Sequence, residues 1–316
     1  MKELTLIYAL KFLNLIGRYG TIIMPVGVVL GLSFPSLSQI TKPLAEPLVL
    51  LMLGVSIYRL DPSLIFKTLK RFKVITIGIV WILIVMPFCI FGLTKLADLP
   101  VGLLIIVVAW SACPPLVSTP GLAILIGLDA ATALLVMIGA TVLFTVSLPI
   151  ILLVLTGTGF DLDPITMSFQ LIGIVCICGL TAQLARFLVG KSVAKSSEPA
   201  ADGVIVLLMA LFAVTIMGGV HEPWQNNPQK VIQFLIVAAA ACIFSQSFCA
   251  LIFSQFHRAT AGSIALASGS RNLALLIPVA NGTFADNLWL YLAVVQIPVY
   301  FLPLLAKPLY QKLYLK

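Results

Sequence analysis

The stretch Ala267-Ser268-Gly269-Ser270-Arg271-Asn272 sets two hydroxyls, a glycine, a guanidinium and a carboxamide inside an apolar segment that runs from about Ala261 to Ala285. An arginine in mid-membrane costs roughly 2.5–3.5 kcal/mol even on insertion scales, so it faces protein or a wet cavity and marks a pathway. Its chemistry is that of a donor-only cation that stays charged, which suits an anionic partner. A second interruption, Cys113-Pro114-Pro115-Leu116-Val117-Ser118-Thr119-Pro120-Gly121, lacks three backbone donors at its prolines. Groups freed where a helix unwinds at depth must line protein or water, and half-helix N-termini favour an anion. The first break offers Ser118, Thr119 and the carbonyls freed by Pro114, Pro115 and Pro120; the second offers Ser268, Ser270, Arg271 and Asn272, with Gly269 between them. The simpler reading of the prolines is that they only kink their helix. Paired breaks in corresponding halves point instead to a transporter's binding site.

The elements that must position these residues follow from composition. With 316 residues, 61% hydrophobic, 9% charged and a mean hydropathy of +1.15, the chain is not a soluble globular domain but a polytopic membrane protein. At roughly 20 apolar residues per span there is room for about ten spans. Continuous rather than alternating apolar runs exclude a strand barrel. Hydropathy predicts spans near 20–34, 45–58, 74–96, 100–126, 130–156, 166–188, 203–219, 230–254, 261–285 and 287–306, with 1–18 as an uncleaved interfacial helix. The net charge of +8 is not a nucleic-acid signal, because the basic residues sit at segment ends. Ten spans put both termini on one side, and fifteen of the 19 basic residues then fall on that side; only Lys42, Lys95 and Lys230 fall opposite, and Arg271 on neither. The positive-inside rule makes that side cytoplasmic, in a multi-pass cell (inner or plasma) membrane protein. Of the polar links Gly157 to Pro164 and Lys191 to Asp202, the first is taken as the division of the chain, near residue 160. Residues 1–160 and 161–316 would each hold five spans, broken in the fourth, as two inverted repeats.

No catalytic constellation is present, and the chain is not expected to be an enzyme. His221 and His257 lie in predicted loops on opposite sides and cannot share a zinc; Gly190-Lys191-Ser192 lacks the leading glycine of a phosphate loop and reads as a solvated basic loop. Ser268-Gly269-Ser270 lacks the setting of a nucleophile elbow. Asp129, after Gly127-Leu128, reads as a helix N-cap in preference to a proton relay. Trp81, Trp110, Trp224 and Trp289 read as interfacial anchors, and the six cysteines, all within spans, imply no disulfide framework.

Gly17-Arg18, Gly54-Val55-Ser56 before Asp61-Pro62-Ser63, Gly78 with Met86-Pro87, Cys113-Pro114, and Gly269 with Asn272 occur in an order and spacing that resembles the bile acid:sodium symporter family, within the wider bile acid, arsenite and riboflavin transporter group. The resemblance spans nearly the whole chain. It implies an all-α membrane protein of ten helices in two inverted five-helix repeats, with panel and core domains and discontinuous helices four and nine crossing at their breaks. The departures are specific. The family's CPGGTASN motif, whose Ser-Asn pair binds sodium, aligns here on Thr119 and Pro120; its ExGMQN motif aligns on Ala267, Gly269, Ser270, Arg271 and Asn272; its third-span glutamine aligns on Ile82. Most sodium ligands are thus missing, no metal or other cofactor is expected, and Arg271 could sit where sodium's charge normally sits, or could simply tie carbonyls together across the crossing. The expected function is secondary active or facilitative transport of a small or amphipathic organic anion by alternating access, without the family's sodium sites. The alternatives are a sodium- or proton-coupled symporter of the same family and a membrane sensor that kept the fold without transport. The expected partners are the anion and the lipid bilayer, with no nucleic acid.

Overall fold

The computed structural model describes residues 2–59, 72–157, 163–280 and 282–314. Of the residues singled out above, Asp61, Pro62 and Ser63 and most of the basic loop after Arg59 lie outside the described residues, as does the middle of the link after Gly157. The chain is an all-α, multi-pass membrane protein. Among the described residues there is no strand, and seven helical stretches are long and apolar enough to cross a membrane: 35–58, 72–96, 130–156, 164–189, 198–226, 228–255 and 287–314. Helices α1 (Lys2–Arg18) and α2 (Gly20–Ser33) meet at an 82° bend and would make an eighth span if counted as one.

The remaining elements follow in order. α3 (Pro35–Thr41) leads through a 3₁₀ turn into α4 (Ala45–Tyr58). α5 (Phe72–Val80) continues through a π turn at Trp81–Val85 into α6 (Met86–Leu96). Next come α7 (Val101–Ala112), a shorter apolar helix, α8 (Thr119–Ile126), α9 (Ala130–Thr156) and α10 (Pro164–Val189). After them stand α11 (Lys191–Ser196), α12 (Glu198–Ile216), α13 (Gly218–Asn226), α14 (Pro228–Ile252) and α15 (Arg258–Gly269). A 3₁₀ segment, Leu273–Val279, precedes α16 (Gly282–Tyr314).

Local chemistry sets the helix ends. α8 stops at Gly127, whose left-handed φ of 95° lets its amide reach back to Ala123 and Ile124. α10 starts at an Asp163-Pro164 pair: proline presets the first turn, and the aspartate accepts from the Thr166 hydroxyl and from the Thr166 and Ile165 amides. Those bonds, the Thr166 hydroxyl first, hold the Asp163 carboxyl below its ordinary range.

Three sequence expectations need correction. Lys191 to Asp202 is not a loop: it is α11 and the start of α12, because Ala194, Ala200 and Ala201 find buried positions. His221 lies in helix α13, where its Nε2 meets the Gly31 carbonyl at 3.1 Å. Trp81 and Trp110 are buried rather than interfacial. Trp110 is fully enclosed, and Trp81 packs against the Phe248 and Phe253 rings with centroids 5.4 and 5.6 Å away. Trp224 is exposed, as an anchor would be.

Two groups of helices form by packing. α12 lies along α1, α2 and α4, and α4 lies along α10. The α2–α12 approach is close because Gly27 and Gly31 face it; a Cβ on Gly27 would stand 2.5 Å from the Ala210 carbonyl oxygen. In the second group α7 packs on α6, α9 and α16, α15 on α9, α14 and α16, and α9 on α5; the groups touch where α9 lies along α10 and α16 along α2.

Candidate functional site at the meeting of the two broken segments

The two interruptions seen in the sequence meet. Pro114 and Pro115 have no amide hydrogens, and the residue before a proline prefers extended backbone, so α7 ends and Cys113 turns out at ψ 155°. Opposite it, α15 ends at Gly269 and Ser270 is extended. The two freed strands form an antiparallel bridge between Pro115 and Arg271: the Leu116 amide donates to the Ser270 carbonyl and the Asn272 amide to the Pro114 carbonyl, both at 2.8 Å. Gly269 is required here, since a Cβ would collide with the Gln246 side chain.

Arg271 is 1% exposed and closes the crossing. Its Nε donates to the Ser268 carbonyl at 2.7 Å, and its Nη1 donates to the carbonyls of Ile82 and Cys113, each at 3.1 Å. Each acceptor is an oxygen its own helix has abandoned. The Asn272 amide, which would close the next turn onto Ser268, has gone to Pro114. Cys113 is the last residue before the break. At Ile82 the cause is subtler: the π turn sends the Met86 amide to Trp81, and the next amide in that ladder belongs to Pro87, which has none. One guanidinium therefore serves three orphaned carbonyls from three elements. No carboxylate among the described residues pairs with it. Its charge is met by the C-terminal ends of α7 and α15, where partial negative charge collects.

Nη2 of Arg271 has no hydrogen-bond partner, and neither do the hydroxyls of Ser118, Thr119 and Ser270, all buried. The Ser268 hydroxyl is likewise buried without a partner. Ser118, Thr119 and Pro120 occupy the N-cap, N1 and N2 positions of α8; proline at N2 removes no helix bond, so Pro120 shapes the start of α8 rather than the break itself. All ten residues expected from the sequence thus lie on the two broken segments, and the bridge brings those segments into contact. Ser118 also lines a cavity of about 100 Å³ with Asn14, Gly17, Asp202 and Val206. Asp129 is the N-cap of α9, accepting from the Thr132 amide and hydroxyl, and it also accepts from Thr260 Oγ1 on α15 at 3.1 Å.

Residue types alone did not reveal the Ile82 carbonyl, Gln246 or the Arg59–Asp202 pair. Met86-Pro87 was the available signal for the first, and Ser245-Gln246-Ser247 inside an apolar run for the second. Gln246 accepts from the Tyr310 hydroxyl at 2.9 Å. No group of three or more His, Cys, Asp or Glu side chains among the described residues could hold a metal ion. No protein-family model matches the chain, and no curated protein matches it.

Proposed function

We propose that this protein is a secondary transporter of a small or amphipathic organic anion that works by alternating access and carries Arg271 as a built-in cation where related carriers would bind sodium. The observation that carries the reading is Arg271 itself: a fully buried guanidinium, gathered by three abandoned carbonyls and two helix C-termini, with one nitrogen and four neighbouring hydroxyls unpaired. Discontinuous helices whose ends converge at depth are the usual construction of carrier sites, and half-helix C-terminal ends are where coupling cations bind. Here that position is filled covalently, and Ala267, Ile82 and Pro120 stand where the resembling family has sodium ligands or their neighbours. The residues present do not fit a sodium ion, and no step runs through one.

The same reading takes the chain as ten spans in two inverted repeats, residues 1–160 and 161–316, with both termini cytoplasmic. The helix packing supports a division into a panel (α2, α4, α10 and α12) and a core built around the crossing. Arg271 is sealed in this conformation, so an anion reaches it only after a conformational change, as alternating access requires. With Nε and Nη1 occupied by carbonyls, Nη2 is the nitrogen left to a ligand.

Counterflow in proteoliposomes tests the proposal, with taurocholate as the probe because its sulfonate stays ionised. Wild type should exchange taurocholate at the same rate when sodium is replaced by potassium or choline at equal ionic strength. Exchange that requires sodium would overturn the built-in cation. Binding without exchange would favour a sensor that kept the fold.

A further inference from the structure

The cavity beside the crossing contains a charged pair that the Arg271 site does not use. Asp202, in the second turn of α12, makes a 2.7 Å ion pair with Arg59 at the end of α4. Its Oδ1 lies 3.3 Å from where a Cβ on Gly121 would stand, so the carboxylate faces α8, the second half of the first broken segment. Asp202 lines the same cavity of about 100 Å³ as Ser118 and Asn14. Three polar atoms around it have no partner: Ser118 Oγ, whose residue is only 4% exposed, Asn14 Oδ1 and Arg59 Nη1. An ion pair with Arg59 buried and Asp202 part-buried, beside unsatisfied donors and acceptors, is a poor stabilising device, and unpaired groups of this kind call for a partner or a role.

The charges around Asp202 are few among the described residues. From α4, Arg59 faces it. α2 and α8 carry no titratable side chain, while α1 brings Gly17 and Asn14 to the cavity and leaves Lys11 and Arg18 exposed. Glu198, one turn earlier on α12, turns to Arg186 on α10 at 3.7 Å, and Lys195 on α11 is exposed. The carboxylate and the Arg59 guanidinium therefore neutralise each other at the boundary between the two helix groups.

We propose that Asp202 is the coupling-proton site of the carrier. A proton arriving through the cavity binds the carboxylate and the ion pair opens. Arg59 is then left as the counter-charge for an organic anion entering beside Ser118. One proton and one monovalent anion enter together, so the net charge at the Arg59–Asp202 pair is zero both before and after loading. A sodium ion could not substitute, because it would sit against Arg59 without discharging the carboxylate. The inference rests on the transport reading and assigns it a driving ion that the Arg271 site leaves open.

Infrared spectroscopy tests the site independently of transport. The full-length protein, labelled with [4-¹³C]aspartate in lipid nanodiscs, is titrated from pH 9 to pH 5. A protonated aspartyl C=O band should appear on acidification, vanish in Asp202→Asn, and lose its isotope shift in Asp202→Glu, which covers the case that the asparagine variant misfolds. Arg59→Gln should move its midpoint to higher pH. A titration without such a band, or a band that survives Asp202→Asn, overturns the site. In proteoliposomes one unit of inward proton gradient should then concentrate taurocholate up to about tenfold, the limit for one proton per monovalent anion. Asp202→Asn should abolish that accumulation. Wild type that moves taurocholate indifferently to the pH gradient, or accumulates it only under a sodium gradient, overturns the coupling alone. Wild type that shows the band but moves no taurocholate overturns the transport reading and the coupling role with it.

Discussion

Arg271 differs from most buried cations in having no carboxylate among the described residues to answer it. Three carbonyls and two helix ends take that place, and each depends on it in turn. Removing the guanidinium orphans acceptors at about 1–3 kcal/mol each. Arg271→Gln, whose carboxamide can still serve one of them, should lose about 2–5 kcal/mol of stability, seen as a lower thermal midpoint of the purified protein. Arg271→Lys should recover only part of the loss, since an ammonium keeps the charge but not the fixed spread of donors. An unchanged midpoint in the glutamine variant would show that the carbonyls do not need the arginine. This residue was legible in the sequence because a charge in an apolar run announces itself. Its three partners were not, since a carbonyl oxygen is common to every residue; what frees the one at Ile82 is a proline five positions on. Asp202 was hidden for another reason: among Lys191, Lys195 and Glu198 a carboxylate looks solvated, and its partner Arg59 belongs to a distant part of the chain.

The helices themselves were easier to read than their interruptions. Apolar runs marked the seven stretches long and apolar enough to cross a membrane, though not all of their ends, since the run expected at 45–58 begins at 35 and the one expected at 203–219 covers 198–226; the prolines and Gly269 located both breaks. The π turn at Trp81–Val85 and the 3₁₀ winding of Leu273–Val279 left no periodic trace, because each changes the hydrogen-bond ladder without changing how apolar the segment is. Close approach between helices was equally silent, and it is testable. Gly27→Ala sets a Cβ 2.5 Å from the Ala210 oxygen and 2.9 Å from its Cα, so α2 and α12 must separate, at about 1–3 kcal/mol. Gly173→Ala, in α10 with nothing within 4 Å, should be neutral or gain about 0.5–1 kcal/mol from the better helix former. Thermal melts of the two variants should shift in opposite directions or by clearly different amounts; equal shifts would place α2 and α12 out of contact.

For the molecule as a whole, the orientation proposed from the basic residues can be tested on a single helical stretch. Residues 198–226 run continuously enough to cross a membrane, with Ser196 exposed at one end and Asn226 at the other. Ser196→Cys should react with an impermeant maleimide only from the cytoplasmic side and Asn226→Cys only from outside. Labelling of both from one face would mean the stretch does not cross. The bridged crossing bears on how such a molecule is made. Cys113 and Arg271 are 158 residues apart along the chain. A ribosome adding 5–20 residues per second delivers the arginine roughly 8–30 s after the proline-broken segment it must mend. Until then the Leu116 amide and the Cys113 carbonyl lack the partners they have in the finished fold, and hydrocarbon offers none. The nascent segment must wait in contact with water, the insertion machinery or a chaperone. Biogenesis is thereby ordered by the crossing, and a chain that stops short of Arg271 should be cleared by membrane proteases instead of persisting as a stable half-protein.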